Sequence, residues 1–391
     1  MSASNTAPVQ EAAGLSAAIT IEPEQHPEEA AASRPLARRA FDCVLSVPAW
    51  LAERRRSVYG LAVARYILGI AALATLLANL PFRYALWGSG AAWMNEYYAD
   101  NAFTSRWLFS AFEDAQSDSQ FTALYVLLIA LTVCFTIGLK FRIVTPVMWA
   151  LYVGLLFMNK PVIGEVGDVA WRIAVMLLWF TDASQVWSVD AMLRRRFARM
   201  WPAYAPQGGG LISQCFGRSE TLGRTRKPVQ MLIDGLAHSM PWFTGWQRAT
   251  IHNLALATLI VQICWIYFSA GTYKTGEAWV DGTAVYYATQ LTEFHTFPWL
   301  NGLLGSSAII VALLTFGSVL VQLFFPALII HPYSRAVALA GILAFHLGIG
   351  ILMNILWFSL AMVAIDAALV DDRTYRKLAE KCRALFRRRR A

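Results

Sequence analysis

Residues 336–370 read AVALAGILAFHLGIGILMNILWFSLAMVAIDAALV, and this apolar stretch decides how often the chain crosses a membrane. A single helix of that length would extend about 52 Å, whereas the hydrocarbon core of a bilayer is about 30 Å thick. One uninterrupted crossing would also place the Arg-rich tail opposite the other basic segments. We therefore predict two short crossings that separate near residues 350–354.

The composition of the whole chain indicates an integral membrane protein. Of its 391 residues, 57% are hydrophobic and 15% are charged, whereas soluble domains have roughly 45–50% apolar and about 25% charged residues. Six further crossings are expected near residues 58–80, 121–139, 143–158, 169–187, 249–271 and 306–330. The predicted fold class is an all-α, polytopic helical membrane bundle of about eight transmembrane helices, a multi-pass protein of the cell membrane.

Basic residues are concentrated in three segments that flank the predicted spans. They occur in the amino-terminal arm (1–56), in the loop 188–247 and in the tail 371–391, and the net charge is +8. Juxtamembrane Lys and Arg mark the cytoplasmic side and attract anionic lipid. We therefore predict that both termini are cytoplasmic and that the partner of these clusters is membrane lipid rather than nucleic acid. The acidic, aromatic loops 81–119 and 272–305 then lie outside.

A single membrane domain, residues 57–370, is predicted between the soluble arms. The arm before it lacks the apolar core of a cleavable signal peptide and is predicted to be disordered, apart from a candidate interfacial helix at about 36–52. The five cysteines include no pair with metal or redox spacing. We therefore expect neither a disulfide framework nor a metal site.

Ionisable residues at membrane depth are costly and indicate functional sites by default. Arg65, about two turns into the first span, is expected to be structural, because it can snorkel to the interface or pair with Asp366 or Asp182. Asp168 and Arg172 are four residues apart on one helix face. They form either a helix cap with an intrahelical ion pair or part of an outward-facing polar pocket.

The stretch YFSAGTYKTGEAWVDG, residues 267–282, contains the candidate catalytic residue Lys274. Lys274 follows an apolar span and the small residues Ala270 and Gly271, which permit close approach of a neighbouring helix. It either snorkels to the interface or lies in a dry pocket. In a dry pocket its pKa would fall, and the neutral amine could act as a base.

A second catalytic candidate, His346, lies on the last apolar stretch, although a histidine on an apolar helix is more often a packing residue. A Glu277 close to Lys274 would oppose a fall in the pKa of the amine. The predicted pocket residues around these two candidates are Asp168, Arg172, Tyr273, Glu277, Trp279, Asp281 and Asn354.

Three motifs resemble the HTTM family, the membrane domain shared with vitamin K-dependent gamma-carboxylases. They are YFSAGTYKTGEAWVDGTAVYY (267–287), GDVAWRIAVMLLWF followed by WSVDAM (167–192), and FHLGIGILMNILWFSLAMVAID (345–366). The resemblance covers about residues 57–370. In the animal carboxylases the lysine of the first motif is the base that deprotonates vitamin K hydroquinone. Position for position, that lysine falls on Lys274.

The chain also departs from the carboxylases. It continues for about twenty residues after its last predicted span and lacks their large extra-membrane domain, and Asp168 stands where the histidine of their catalytic region aligns. Glutamate carboxylation is therefore not expected. Short bacterial members of the family, which resemble sporulation-delaying protein B, are the better match.

Three alternative functions remain open, two from the resemblance and one from the interrupted apolar stretch. The first is maturation or export of a secreted peptide, with a peptide precursor and a maturation protein as partners. The second is a quinone-dependent, carboxylase-like oxidoreductase that uses Lys274 as base and a reduced quinone as cofactor. The third is a transporter or a non-catalytic membrane scaffold, because interrupted helices such as the one in 336–370 are frequent in transporters.

Overall fold

A computed structural model describes residues 46–91, 108–158, 166–200, 244–292 and 297–388, and all regular structure in these ranges is helical. The chain divides into Met1–Ala49, described only at the helical residues 46–49, and Trp50–Ala391. The predicted interfacial helix at 36–52 and the predicted basic loop 188–247 therefore lie largely outside the described residues.

The second unit contains the helices on which the site is built. Its longer helices in the described ranges are α1 (Val58–Asn79), α2 (Asp118–Ile137), α3 (Phe141–Met158), α4 (Val166–Phe180), α5 (Val189–Met200), α6 (Gly245–Thr272), α7 (Ala308–Leu323), α8 (Pro332–Leu352), α9 (Leu356–Asp366) and α10 (Asp372–Arg388). The shorter helical segments are Arg83–Trp87, Ser110–Phe112, Glu277–Val280, Ala284–Gln290, Pro298–Gly305, Phe325–Leu328 and Ala367–Leu369.

Five of the described helices, α1, α2, α3, α6 and α8, are each long and apolar enough to cross a membrane. The segment Pro298–Gly305 and α7 pass the same test together but are bent by 95°, so they form a broken span or a re-entrant loop. The predicted all-α membrane class is therefore confirmed, with five or six helices of spanning length in the described part of the chain. The count of eight crossings remains a prediction.

The apolar stretch 336–370 is interrupted where the sequence predicts. Helix α8 ends at Leu352 and α9 begins at Leu356. Between them, Asn354 has φ 55°, a left-handed conformation that asparagine adopts more readily than most residues. Because α8 and α9 pack against each other, Asn354 marks the point at which the chain turns back. Its side chain is exposed.

The fourth predicted span, 169–187, is too long at its carboxyl end, because α4 stops at Phe180. The chain then forms turns in which Asp182 is buried and forms ion pairs with Arg55 at 2.8 Å and with Arg142 at 3.0 Å. The backbone nitrogen of Asp182 also donates to Nδ1 of His252 on α6. After α4 ends, the chain is therefore held by these polar contacts of Asp182 instead of by further helical hydrogen bonds.

The sixth predicted span, 306–330, is divided in two. Helix α7 ends at Leu323, and the short helix Phe325–Leu328 follows it. Pro326 explains the division, since proline has no backbone N–H to donate to the residue four positions earlier. This division lies beside the end of α6, where Leu323 approaches Gly271.

Helix α1 lies at the centre of the packing. It contacts α2, α4 and α9, and α4 in turn contacts α3, α6 and α9. At Gly60 a Cβ would lie 2.4 Å from the carbonyl oxygen of Ala367, so only glycine permits this approach of α1 to the residues after α9. Helices α7 and α8 expose apolar side chains such as Leu313 and Val337, as expected of surfaces that lipid covers.

Arg65 is completely buried on α1, and its partner differs from the predicted one. Its Nη2 donates to the carbonyl oxygen of Trp187 at 2.6 Å, and the hydroxyl of Tyr66 donates to the same oxygen. Within the described residues Arg65 and Asp366 form no ion pair. The carboxylate of Asp366 instead accepts a hydrogen bond from Tyr267, so the predicted Arg65–Asp366 pair is corrected.

Gly138, at the end of α2, should be intolerant of substitution. It has φ 67°, and a Cβ there would lie 1.6 Å from Nη1 of the buried Arg65. Gly138→Ala should lower the Tm of the detergent-solubilised protein by several degrees, because the left-handed backbone alone costs about 1–2 kcal/mol with a Cβ. Gly317→Ala on α7 is the control, since a Cβ there meets nothing within 4 Å. Equal Tm values for the two variants would contradict this role of Gly138.

Candidate functional site around Lys274

The candidate base lies directly after the carboxyl end of α6. The helix ends at Thr272, Tyr273 is its cap, and Lys274 follows. At Gly271, a Cβ would lie 2.9 Å from the nitrogen and 3.0 Å from the Cα of Leu323 on α7. The close helix approach expected at this glycine is therefore present. It places Lys274 beside Gln322, the residue before Leu323.

The amine of Lys274 is surrounded by neutral groups. Its Nζ donates to the backbone oxygen of Ala270 at 3.3 Å and to Oε1 of the buried Gln322. The ring centroids of Trp279 and Phe345 lie 5.1 Å and 5.9 Å from Nζ. Within the part of the chain that the structure describes, no carboxylate forms an ion pair with Lys274.

Burial lowers the pKa of Lys274 from its ordinary value of 10.5 to about 8. Desolvation is the cause, because a partly dry environment disfavours the ammonium form. Glu277, which could have opposed this shift, is exposed. With a pKa near 8, about a tenth of the amine is neutral at pH 7.

A chain of buried polar side chains continues from this site into the bundle. Nε2 of His346 on α8 lies 3.1 Å from the hydroxyl of Tyr267 on α6, and that hydroxyl donates to Oδ2 of Asp366 at 2.7 Å. All three side chains are buried. Phe345, whose ring centroid lies 5.9 Å from Nζ of Lys274, directly precedes His346 on α8. The structure thus brings both predicted catalytic residues together and adds Tyr267 and Asp366 to them.

Asp168 and Arg172 form a second polar group at the start of α4. Nε of Arg172 donates to the backbone oxygen of Asp168 at 3.3 Å, and Oδ1 of Asp168 accepts from Nε1 of Trp357 at 2.8 Å. The next residue, Phe358, places its ring 5.4 Å from that of His346. The first turn of α9 therefore contacts both polar groups.

The remaining predicted pocket residues do not contact the amine. Tyr273 is 85% exposed, and Glu277, Asp281 and Asn354 are also exposed. Of the predicted residues in the loop after α6, Trp279 alone contacts the Lys274 amine within the described part of the chain. The half-buried amine therefore contacts residues of helices α6, α7 and α8 and one aromatic side chain of this loop.

Three residues around the amine and His346 are not identified by sequence reasoning: Gln322, Phe345 and Tyr267. A signal for Gln322 exists, because it is the only amide side chain in the apolar stretch 306–330. Tyr267 opens the motif at 267–287, but its partner Asp366 lies 99 residues further along the chain. No local spacing could have predicted that contact.

The helices and the buried polar groups define a multi-pass integral membrane protein. The model of the HTTM domain matches residues 54–205 and 239–371, which is most of the chain. The chain therefore belongs to the HTTM family, and the resemblance found in its motifs is confirmed at the level of the family. Comparisons with curated proteins and with solved structures gave no significant match.

Proposed function

We propose that this protein is a membrane-embedded enzyme in which the neutral amine of Lys274 removes a proton from an acidic hydroxyl of a lipid-soluble substrate. The observation that carries this proposal is the environment of Nζ: two neutral acceptors, two aromatic rings and no counter-ion within the described residues. An amine in such surroundings is a better base at neutral pH than an exposed lysine, because less of it is protonated.

The residues present fit the hydroxylated ring of a reduced quinone. Trp279 and Phe345 offer aromatic faces, and Gln322 and the Ala270 carbonyl orient the amine. In the step proposed here, Lys274 takes the proton, the O–H bond breaks and its electron pair stays on oxygen. The ammonium that forms is stabilised by the same two acceptors and by the ring faces. A reduced quinone, when bound, supplies the electrons for oxidation chemistry.

Within this proposal the bundle has eight crossings in the cell membrane and both termini are cytoplasmic. The short helices α4 and α9 would be two of the eight, and the bent pair of Pro298–Gly305 and α7 would be a third. Two observations support this orientation. The start of α6 follows the basic segment 188–247, which marks the cytoplasmic side, and Lys274 lies at the other end of that helix.

A base on the outer side would suit the maturation or export of a secreted peptide. In this proposal the protein acts with a peptide precursor and a partner maturation protein, as in the bacterial branch of the family that resembles sporulation-delaying protein B. The support is the position of Lys274 at the end of α6 opposite the basic segment, together with the family membership. The chemistry at Lys274 can be tested without identifying the peptide.

Chemical labelling of Lys274 against pH tests whether a neutral amine is present. The protein in lipid nanodiscs is exposed briefly to an amine-acylating reagent between pH 6 and pH 10, and modification of Lys274 is quantified by mass spectrometry. Because only the neutral amine reacts, modification should reach half its maximum near pH 8. Lys140, an exposed lysine before α3, controls for the pH dependence of the reagent. A midpoint at the ordinary value of 10.5 would contradict the proposed base.

A further inference from the structure

The hydrogen-bonded chain of His346, Tyr267 and Asp366 ends in an unpartnered atom on each side. Within the described residues, Nδ1 of His346 and Oδ1 of Asp366 are both buried and without a hydrogen-bond partner. His346 is 1% exposed and Asp366 is 7% exposed. A buried polar atom without a partner lowers stability, so helix packing alone does not account for the two free ends.

The directions of the two hydrogen bonds determine the tautomer of His346. Tyrosine has a single hydroxyl proton, and Tyr267 donates it to Oδ2 of Asp366, which accepts this bond in its ionised form. The Tyr267 oxygen then has only acceptor capacity left for His346, so Nε2 must carry the imidazole proton. Nδ1 is consequently the unprotonated nitrogen, and it is the atom that lacks a partner.

We propose that Asp366, Tyr267 and His346 form a proton relay in which Nδ1 of His346 accepts a proton from the Lys274 site and Asp366 stores it. This inference deepens the proposed function and rests on it for the source of the proton. Among the described residues, the charged or titratable groups near the relay are Lys274, which lies near His346, and Cys264, which lies near Asp366. The relay therefore leads from a cationic end to an anionic end, which is the direction in which a proton would move.

The relay balances as a sequence of proton transfers. A proton binds Nδ1 of His346 and makes the imidazole cationic. The Nε2 proton then moves to the Tyr267 oxygen while the original Tyr267 proton moves to Oδ2 of Asp366, over the observed separations of 3.1 Å and 2.7 Å. The products are a neutral imidazole protonated at Nδ1, an intact tyrosine and a neutral carboxylic acid. In total, one proton has been transferred from the Lys274 side of His346 to Asp366, and no electron has been transferred.

Such a relay would return Lys274 to its neutral form. An ammonium at Lys274 and an imidazolium at His346 would repel each other, so the two groups are not both protonated at once. Moving the proton to Asp366 removes the positive charge from both bases. His346 therefore acts as a second base in the site, and Tyr267 and Asp366 act through it.

Nitrogen-15 NMR of histidine in the intact protein tests the tautomer. All six histidines are labelled in nanodiscs, and the His346 signals are assigned by their loss in His346→Gln. The expected spectrum at neutral pH shows a protonated Nε2 and an unprotonated Nδ1. In Tyr267→Phe, which keeps the ring packed against Phe325, both tautomers should be populated. A protonated Nδ1 in the wild type, or an unchanged tautomer in Tyr267→Phe, would overturn the relay.

Infrared difference spectroscopy on acidification tests proton delivery to Asp366. A carboxylic acid band that disappears in Asp366→Asn reports the stored proton, and Tyr267→Phe should reduce or delay this band. Tyr125→Phe is the matched control, because Tyr125 is equally buried and its hydroxyl donates only to the carbonyl of Leu76 among the described contacts. An Asp366 band that forms at the same rate in Tyr267→Phe would rule out transfer through the tyrosine.

The two measurements separate the relay from the base chemistry. The NMR tautomer is read without substrate, and Lys274→Met should leave it unchanged. If the labelling midpoint of Lys274 is not lowered but His346 is protonated at Nε2 as expected, Lys274 is not the base. The proposed order of hydrogen bonds from His346 through Tyr267 to Asp366 is then still supported. The opposite result, a neutral Lys274 with a protonated Nδ1 on His346, would keep the base and remove the relay.

Discussion

Lys274→Met and Lys274→Arg should both lower the protein-dependent turnover of a reduced naphthoquinone by about 100-fold or more, which is the scale of a lost general base. Methionine has no basic nitrogen, and the arginine guanidinium stays protonated at any pH that the protein tolerates. The measurement is oxygen uptake with the protein in nanodiscs, corrected for spontaneous oxidation without protein. Lys140→Met, which changes an exposed lysine before α3, should leave the rate unchanged.

The stability of the same variants separates a catalytic lysine from a structural one. The Lys274 ammonium has no counter-ion within the described residues, so Lys274→Met should keep or raise the Tm. Full turnover in Lys274→Arg would indicate that residue 274 only orients the substrate or snorkels as a cation. It would contradict the proposal that Lys274 acts as a base. A fall in Tm with unchanged turnover in both variants would favour a scaffold or a transporter in which Lys274 is structural.

Local properties of the sequence account for what could be predicted of the fold. Apolar length and the positions of charges are local, so the helices corresponding to α1, α2, α3 and α6 agree with their predicted spans within a few residues. The break between α8 and α9 was predictable because a helix of 35 residues does not fit a bilayer. Lys274 was identifiable because it is a charged residue directly after an apolar span that ends in the small residues Ala270 and Gly271.

Contacts between distant segments account for what could not be predicted. Arg65 binds the carbonyl of Trp187, 122 residues away, and a backbone carbonyl carries no sequence signal. The partner of Asp366 is an ordinary aromatic residue of α6, so its role follows only from the packing of α6 against α9 and from its hydrogen bond to His346 of α8. Tyr273 is a polar aromatic residue of the kind found in binding sites, but its side chain is exposed at the end of α6.

Three charged residues, Arg55, Arg142 and Asp182, form a junction after the end of α4. Of the single substitutions at this junction, Asp182→Ala should be the most destabilising. The carboxylate is 4% exposed and binds Nε of Arg55 at 2.8 Å and Nη2 of Arg142 at 3.0 Å. Removing it leaves two guanidinium groups in a largely buried position without their counter-ion, and breaking a buried pair in this way costs about 3–5 kcal/mol. Thermal unfolding in detergent should show a large fall in Tm, and the folded yield should fall with it.

The cost of Asp182→Ala should come from the stranded arginines rather than from the lost carboxylate itself. Adding Arg142→Met to Asp182→Ala should therefore recover part of the Tm, because the double variant buries one fewer unpaired cation. Asp118→Ala, which removes an exposed carboxylate from the first turn of α2, should change the Tm little. If Asp182→Ala behaved like Asp118→Ala, the junction of Arg55, Arg142 and Asp182 would contribute little to stability. The end of α4 would then be fixed by the packing of its apolar residues alone.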